Sequence, residues 1–130
     1  MAKMNNIELL KDMWNSLYDH KTNVSETIEK FFHRDYEQCI NGVVMDKTQY
    51  IQHVVKQKKN MTINSIDYKY VIEKGNDLFA LYYPRGKNKN NLPIEAEVIA
   101  YFCFSKHQIL RIHAQVRLIK GDYADVDMTD

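Results

Sequence analysis

Residues that staple, hinge or cradle are scarce in this chain: of 130 residues, two are cysteine, two proline and four glycine. Cys39 and Cys103 are too few and too far apart to form a disulfide framework or a zinc knuckle, and they read as reduced, buried thiols. None of the glycines follows a strand in a Gly-x-Gly pattern, so no phosphate-cradling loop exists and no nucleotide cofactor is implied. The sequence has no His-x-x-x-His, no Cys-x-x-Cys and no carboxylate facial set, which argues against a tightly bound metal. A formal net charge of +1 supplies no long-range field for nucleic acid. Lys56, Lys58 and Lys59 cluster, as do Arg85, Lys87 and Lys89, and both groups read as solvated surface. No stretch approaches the roughly eighteen apolar residues of a membrane span, and no basic region precedes an apolar signal core. The expectation is a cytoplasmic protein that does not enter a membrane.

What is present is ordinary globular material, 45% hydrophobic and 27% charged, of a length that buries one core without staples. Residues 1–120 read as a single domain. Residues 121–130, with Asp122, Asp125, Asp127 and Asp130, read as an acidic tail, frayed or docked on a partner. Ile7, Leu10, Met13, Trp14 and Leu17 recur at helical spacing and predict an amphipathic helix over 5–19. A second helix follows the Asn23 cap, with Glu26 three residues on, and ends near Arg34. Asp35 to Ile40 reads as a short strand closed by an Asn41-Gly42 turn. Asp46 and Gln49 then form a capping box for a third helix that buries Tyr50, Ile51, Val54 and Val55.

From Thr62 the period is two: Ile66, Tyr68, Tyr70 and Ile72 oppose Ser65, Asp67, Lys69 and Glu73. Gly75-Asn76-Asp77 turns the chain into a strand over Leu78 to Tyr83, and Arg85 to Pro93 reads as an exposed, mobile loop. Val98 to Phe104 is an unbroken apolar run of strand length. Beyond the polar turn Ser105-Lys106-His107-Gln108, Leu110, Ile112, Ala114, Val116 and Leu118 alternate with Arg111, His113, Gln115 and Arg117. Pairing equal parity puts Glu95 and Glu97 with Gln115 and Arg117, and Ala96, Val98, Ala100 and Phe102 on the apolar face; that register requires a bulge at the turn. Helices followed by a strand meander give an α+β domain in which a curved antiparallel sheet wraps around three N-terminal helices.

That order, the segment Phe32-His-Arg-Asp-Tyr-Glu-Gln-Cys-Ile-Asn-Gly-Val-Val-Met-Asp46 leading into a helix, and the late segment Ile109 to Asp127 with Arg117-Leu118 and Gly121-Asp122 resemble the SnoaL-like branch of the nuclear transport factor 2-like superfamily. The resemblance implies a cone with a pocket between the helices and the concave sheet face, floored by Val98, Ala100, Phe102, Ile112, Ala114 and Val116. It places Trp14, Tyr18, Tyr36 and Gln38 at the mouth or wall. It also implies a small hydrophobic or polyketide-like ligand, and chemistry, where there is any, of cofactor-free proton transfer by an isomerase, cyclase or dehydratase. The ketosteroid isomerase pattern requires a carboxylate base near the end of the first strand and a proton donor on a later one. Those places fall on Cys39 or Ile40 and on Ala100, which carry no carboxylate. A histidine that many SnoaL-like proteins carry is replaced by Cys39. The polar candidates left for catalysis are Tyr18, Gln38 and His113, the last beside Glu97.

A second reading stands beside the first. Superfamily members often pair through the convex sheet face, and Glu95, Glu97, Tyr101, Arg111, His113, Gln115 and Arg117 would make a polar and aromatic homodimer interface. The alternative function is then a non-catalytic, dimeric protein-interaction module.

Overall fold

The computed structural model describes residues 5–126. Helices α1 (Asn6–Leu17), α2 (Val24–Phe31) and α3 (Lys47–Asn60) cover one face of a sheet built from β1 (Phe32–Ile40), β2 (Val43–Asp46), β3 (Met61–Lys74), β4 (Asp77–Asn88), β5 (Pro93–Ser105) and β6 (Gln108–Lys120). The strand order is β2-β1-β6-β5-β4-β3. Neighbours run antiparallel except β1 and β6, which run parallel, so the sheet is mixed and open at both edges. Among the described residues, no helix is long and apolar enough to cross a membrane.

Each helix starts under a side chain that satisfies an orphan backbone N–H. Asn5 accepts from the Glu8 amide at 2.8 Å and Asn23 from the Glu26 amide at 3.0 Å. Asp46 and Gln49 complete the full capping box at 2.8 and 2.9 Å. Such caps contribute about 1 kcal/mol each. The second helix stops at Phe31 rather than Arg34, because Phe32 takes extended backbone and opens β1. Residues 43–46, which carry no strand signal of their own, pair back on β1 across the left-handed Asn41-Gly42 turn. On α3 the buried stripe is Tyr50, Val54 and Gln57; Val55 is exposed and Ile51 half-buried.

The long hairpin has the anticipated register: Glu97 lies opposite Arg117, Val98 opposite Val116, Ala100 opposite Ala114 and Phe102 opposite Ile112. The required bulge lies between Cys103 and Phe104, where the pairing steps from Arg111 to Ile109. It shifts parity, so Ile109 enters the core and Leu110 stays half-buried. In β3 a bulge at Lys69 does the same. Tyr70 and Ile72, assigned to the core face by strict alternation, are 62% and 69% exposed, while Val71 packs inward.

Residues 85–88 are strand rather than loop. β4 continues through Pro84, and only Lys89 to Leu92 connect it to β5. Gly86 makes this possible: a Cβ there would sit 1.8 Å from the Thr62 carbonyl oxygen of β3. The C-terminal segment is also structured, since Tyr123–Val126 form a 3-10 turn whose Val126 is buried against Met61 and Ile94. Asp127 and Asp130 lie outside the described residues. Replacing Gly86 with alanine forces these two strands apart. The expected result is a loss of about 1–3 kcal/mol, seen as a lower urea midpoint with an unchanged slope; an unchanged midpoint would refute the close approach.

Candidate functional site

The inner sheet face and the helices do not close completely on each other. Between them lies a cavity of about 530 Å³. Ala96 and Val98 of β5 and Ile112, Ala114 and Val116 of β6 form an apolar floor, with Ile63 and Ile66 of β3 and Tyr82 of β4 along one side. Trp14 and Tyr18, one turn apart on α1, stack at 5.7 Å and form a wall. Tyr50, His53 and Gln57, spaced along one face of α3, form another. Val43 and Met45 of β2 reach in from one end, and Tyr123 and Val126 from the C-terminal turn.

Of the residues singled out from sequence, Trp14, Tyr18, Gln38, Val98 and Ile112 line this cavity, whereas Tyr36, Ala100 and Phe102 do not. Those three lie deeper in the core. Phe102 is fully buried near Tyr82, and Tyr36 is enclosed by Phe32 and Tyr50 at 4.6 and 5.6 Å. His113 is on the wrong side altogether. Alternation along β6 puts it with Arg111, Gln115 and Arg117 on the exposed outer face, across from Cys39 and Tyr101. Cys39 points outward too and is half-buried, as is Cys103, so neither thiol is a core group. His53, Tyr50 and Gln57 were missed as site residues. Their three- and four-residue spacing puts them on one face of α3, but Tyr50 reads as helix core and a lone His or Gln on a helix carries no motif.

The polar groups of the cavity are few and directional. Tyr36 donates its hydroxyl hydrogen to Gln38 Oε1 at 2.7 Å, so a fully buried phenol positions a cavity-lining amide. Tyr18 donates to Gln57 Oε1 at 3.0 Å, and Gln57 Nε2 donates to the Val126 carbonyl at 2.9 Å. The Trp14 indole N–H is buried and has no acceptor among the described residues. At one end, the Asn41 side chain accepts from the Val116 amide at 2.7 Å and donates to the Val116 carbonyl at 3.0 Å, which fastens the turn to β6. No carboxylate lines the cavity among the described residues, and His53 is the lining side chain of a type that exchanges protons near neutral pH.

Burial pushes the phenols of Tyr18, Tyr36, Tyr50 and Tyr82 well above their ordinary value of 10.0. They are neutral donors and acceptors, not bases. Because these folded-state values lie above the unfolded one, the stability they contribute is complete below pH 10 and is lost as pH rises past it. Urea midpoints measured against pH should therefore fall only above that point, with the phenolate absorbance of these tyrosines appearing together with unfolding. Their ionisation in a still-folded protein near pH 10 would contradict the burial.

No protein-family model matches the chain, and no curated protein is similar to it in sequence. Solved structures are similar in shape. A protein of Rhodopseudomonas palustris, provisionally assigned as an isomerase, superposes with a TM-score of 0.75 at 12% identity over 98% of this chain and 96% of its own. A nuclear transport factor 2-like protein of Burkholderia xenovorans gives 0.66 at 13% identity over 90% and 92%. A protein of Jannaschia, provisionally assigned as a SnoaL-like polyketide cyclase, gives 0.64 at 8% identity over 89% and 91%. At such identities the common property is architecture, and by its architecture this chain has the cone-shaped α+β fold of the nuclear transport factor 2-like superfamily, SnoaL-like proteins included.

Proposed function

We propose that this protein binds a small, neutral, largely apolar molecule in the cavity between α1, α3 and the concave sheet. The observation that carries the reading is the cavity itself, about 530 Å³ with an apolar floor and a handful of convergent polar groups. Cavities of that size and lining are the usual form of small-molecule sites. No Lys or Arg lines it among the described residues, so a carboxylate or phosphate ligand would be desolvated without a counter-charge. A polyketide-like or other carbonyl-bearing hydrophobic molecule suits the lining. The reaction class that accords with the provisional isomerase and cyclase assignments of the structural neighbours is proton transfer without a cofactor. Among the described residues that line the cavity, His53 is of the type that moves a proton near neutral pH, so such a transfer runs through it, while Tyr18 and Gln38 orient the substrate by hydrogen bonds.

Trp14 is the only tryptophan and lines the cavity, so its fluorescence reports occupancy. Titration with 6-acetyl-2-methoxynaphthalene should quench it saturably. Replacing Ala114 on the floor with phenylalanine fills the space, and the affinity should drop by about tenfold or more through steric exclusion. Undiminished affinity in a folded Ala114→Phe variant would move the binding site elsewhere.

The second reading, self-association through the outer sheet face, is favoured by a different observation. Tyr70, Ile72, Phe79 and Ile99 are each more than half exposed there, at 62%, 69%, 56% and 60%. The polar residues assigned to that interface are partly paired within the chain: Arg117 contacts Glu97 at 3.3 Å, and Tyr83 donates to the same carboxylate at 2.8 Å. The apolar residues are therefore the better anchors for a homodimer. Sedimentation should give twice the 15.4 kDa chain mass for the native protein and a shift toward a single chain for Ile99→Lys. An Ile99→Lys protein with unchanged mass would remove this face as the interface.

A further inference from the structure

The hydrogen-bond chain that crosses the cavity wall has a direction, and one end of it fixes the rest. The Val126 carbonyl can only accept, so Gln57 must meet it with Nε2, at 2.9 Å. That places Gln57 Oε1 toward Tyr18. This oxygen can only accept, so the Tyr18 hydroxyl must donate, at 3.0 Å. A phenol has one proton. With that proton held by Gln57, Tyr18 offers only lone pairs to its other partners: one meets the neighbouring Tyr50 hydroxyl, and the other is left for a ligand.

The opposite logic holds at Gln38. The Tyr36 hydroxyl is fully buried, and its proton goes to Gln38 Oε1 at 2.7 Å. The two hydrogens of Gln38 Nε2 meet no acceptor among the described residues, and Gln38 lines the cavity. The unpartnered Trp14 indole N–H adds a further donor to the same lining. The cavity thus has a donor pole at Gln38 and an acceptor pole at Tyr18. Leaving a buried amide or hydroxyl unpaired is costly enough to discriminate about tenfold between ligands that differ by one hydrogen bond.

We propose that the cavity selects neutral molecules bearing both a hydroxyl donor and a carbonyl acceptor: Tyr18 receives the hydroxyl, Gln38 gives its N–H to the carbonyl, and Gln57, anchored by the Val126 carbonyl, is the positioning residue that makes Tyr18 an acceptor. This rests on the pocket reading and deepens it. Gln57 is itself a buried residue on the α3 wall, and among the described residues its side chain makes these two hydrogen bonds.

The test compares 6-acetyl-2-naphthol with 6-acetyl-2-methoxynaphthalene, two probes whose second oxygen carries a proton in one and a methyl group in the other. On the native protein the naphthol should bind about tenfold more tightly, as expected for one hydrogen bond in a desolvated site. In Gln57→Leu, the Tyr18 proton is released and the preference should shrink to about twofold or less. Tyr18→Phe, which keeps the ring and its stacking, should abolish it as well and guards against misfolding of the Gln57 variant. Equal affinity for the two probes, with binding still lost in Ala114→Phe, would keep the pocket and overturn the polarity. Full retention of the naphthol preference in a folded Gln57→Leu or Tyr18→Phe protein would overturn it too. Binding of neither probe would bring down the pocket reading and this assignment together.

Discussion

The structure depends on β6 holding two neighbours of opposite direction at once. On one side it forms the antiparallel hairpin with β5, and on the other it runs parallel to β1, which arrives from the helical half of the chain. Parallel pairing cannot be made by a tight turn, so the contact joins segments more than 70 residues apart. Its far end is secured by a side chain: Asn41 makes both hydrogen bonds to the backbone of Val116 that another strand residue would have made. Through this one pairing Gln38 is brought beside Ile112, and the β1–β2 hairpin comes to stand at the end of the cavity. This pairing is the backbone link between the helical half of the chain and the concave face, and the packing of α2 and α3 adds to it.

Much of this was legible because it depends on local rules. Caps at Asn23 and Asp46 mark two helix starts, apolar spacing marks the first helix, and alternation over Ala96 to Val116 gives both the faces of the hairpin and its register. The failures share a cause. A bulge adds one residue and reverses every face beyond it, yet it leaves no compositional trace, so Tyr70 and Ile72 were assigned inward and Leu110 was preferred to Ile109. Likewise, the Lys, Asn and Gly content of residues 85–88 suggests a loop. The strand continues there because Gly86 lets β3 and β4 approach closely, a tertiary fact no window of sequence contains.

The site shows the same division. The resemblance puts Val98, Trp14 and Tyr18 beside a pocket, and all three line the cavity, but depth along the cone is not periodic. Ala100 and Phe102 share the face of Val98 and are nevertheless sealed in the core rather than open to the cavity. His113 was grouped with the site through its nearness to Glu97 on the polar face, and that face turns out to be the outer one. The contribution of α3 was hidden because Gln57, a buried polar residue, looks like surface until its partners Tyr18 and Val126 are known.

The size of the cavity constrains how it can exist at all. An empty, dry space costs roughly 24 cal/mol per Å³ in a protein core. About 530 Å³ of it, if sealed and left empty, would cost on the order of 10 kcal/mol, comparable to the whole stability of a typical domain, and this cavity is instead partly open to solvent. The space must therefore be filled, by solvent or by a ligand, and its walls must resist collapse in either state. The sheet provides that resistance, because its side chains cannot move inward without breaking the ladders on both sides of β6. Water inside such an apolar lining finds few partners beyond Gln38, Tyr18 and the α3 side chains, and displacing it by an apolar body is favourable. For the proposed ligand, affinity would come mainly from the floor and discrimination from the few directed polar groups. Their protons are assigned by Tyr36 at one pole and by the Val126 carbonyl at the other, and neither of these need move when the cavity is filled.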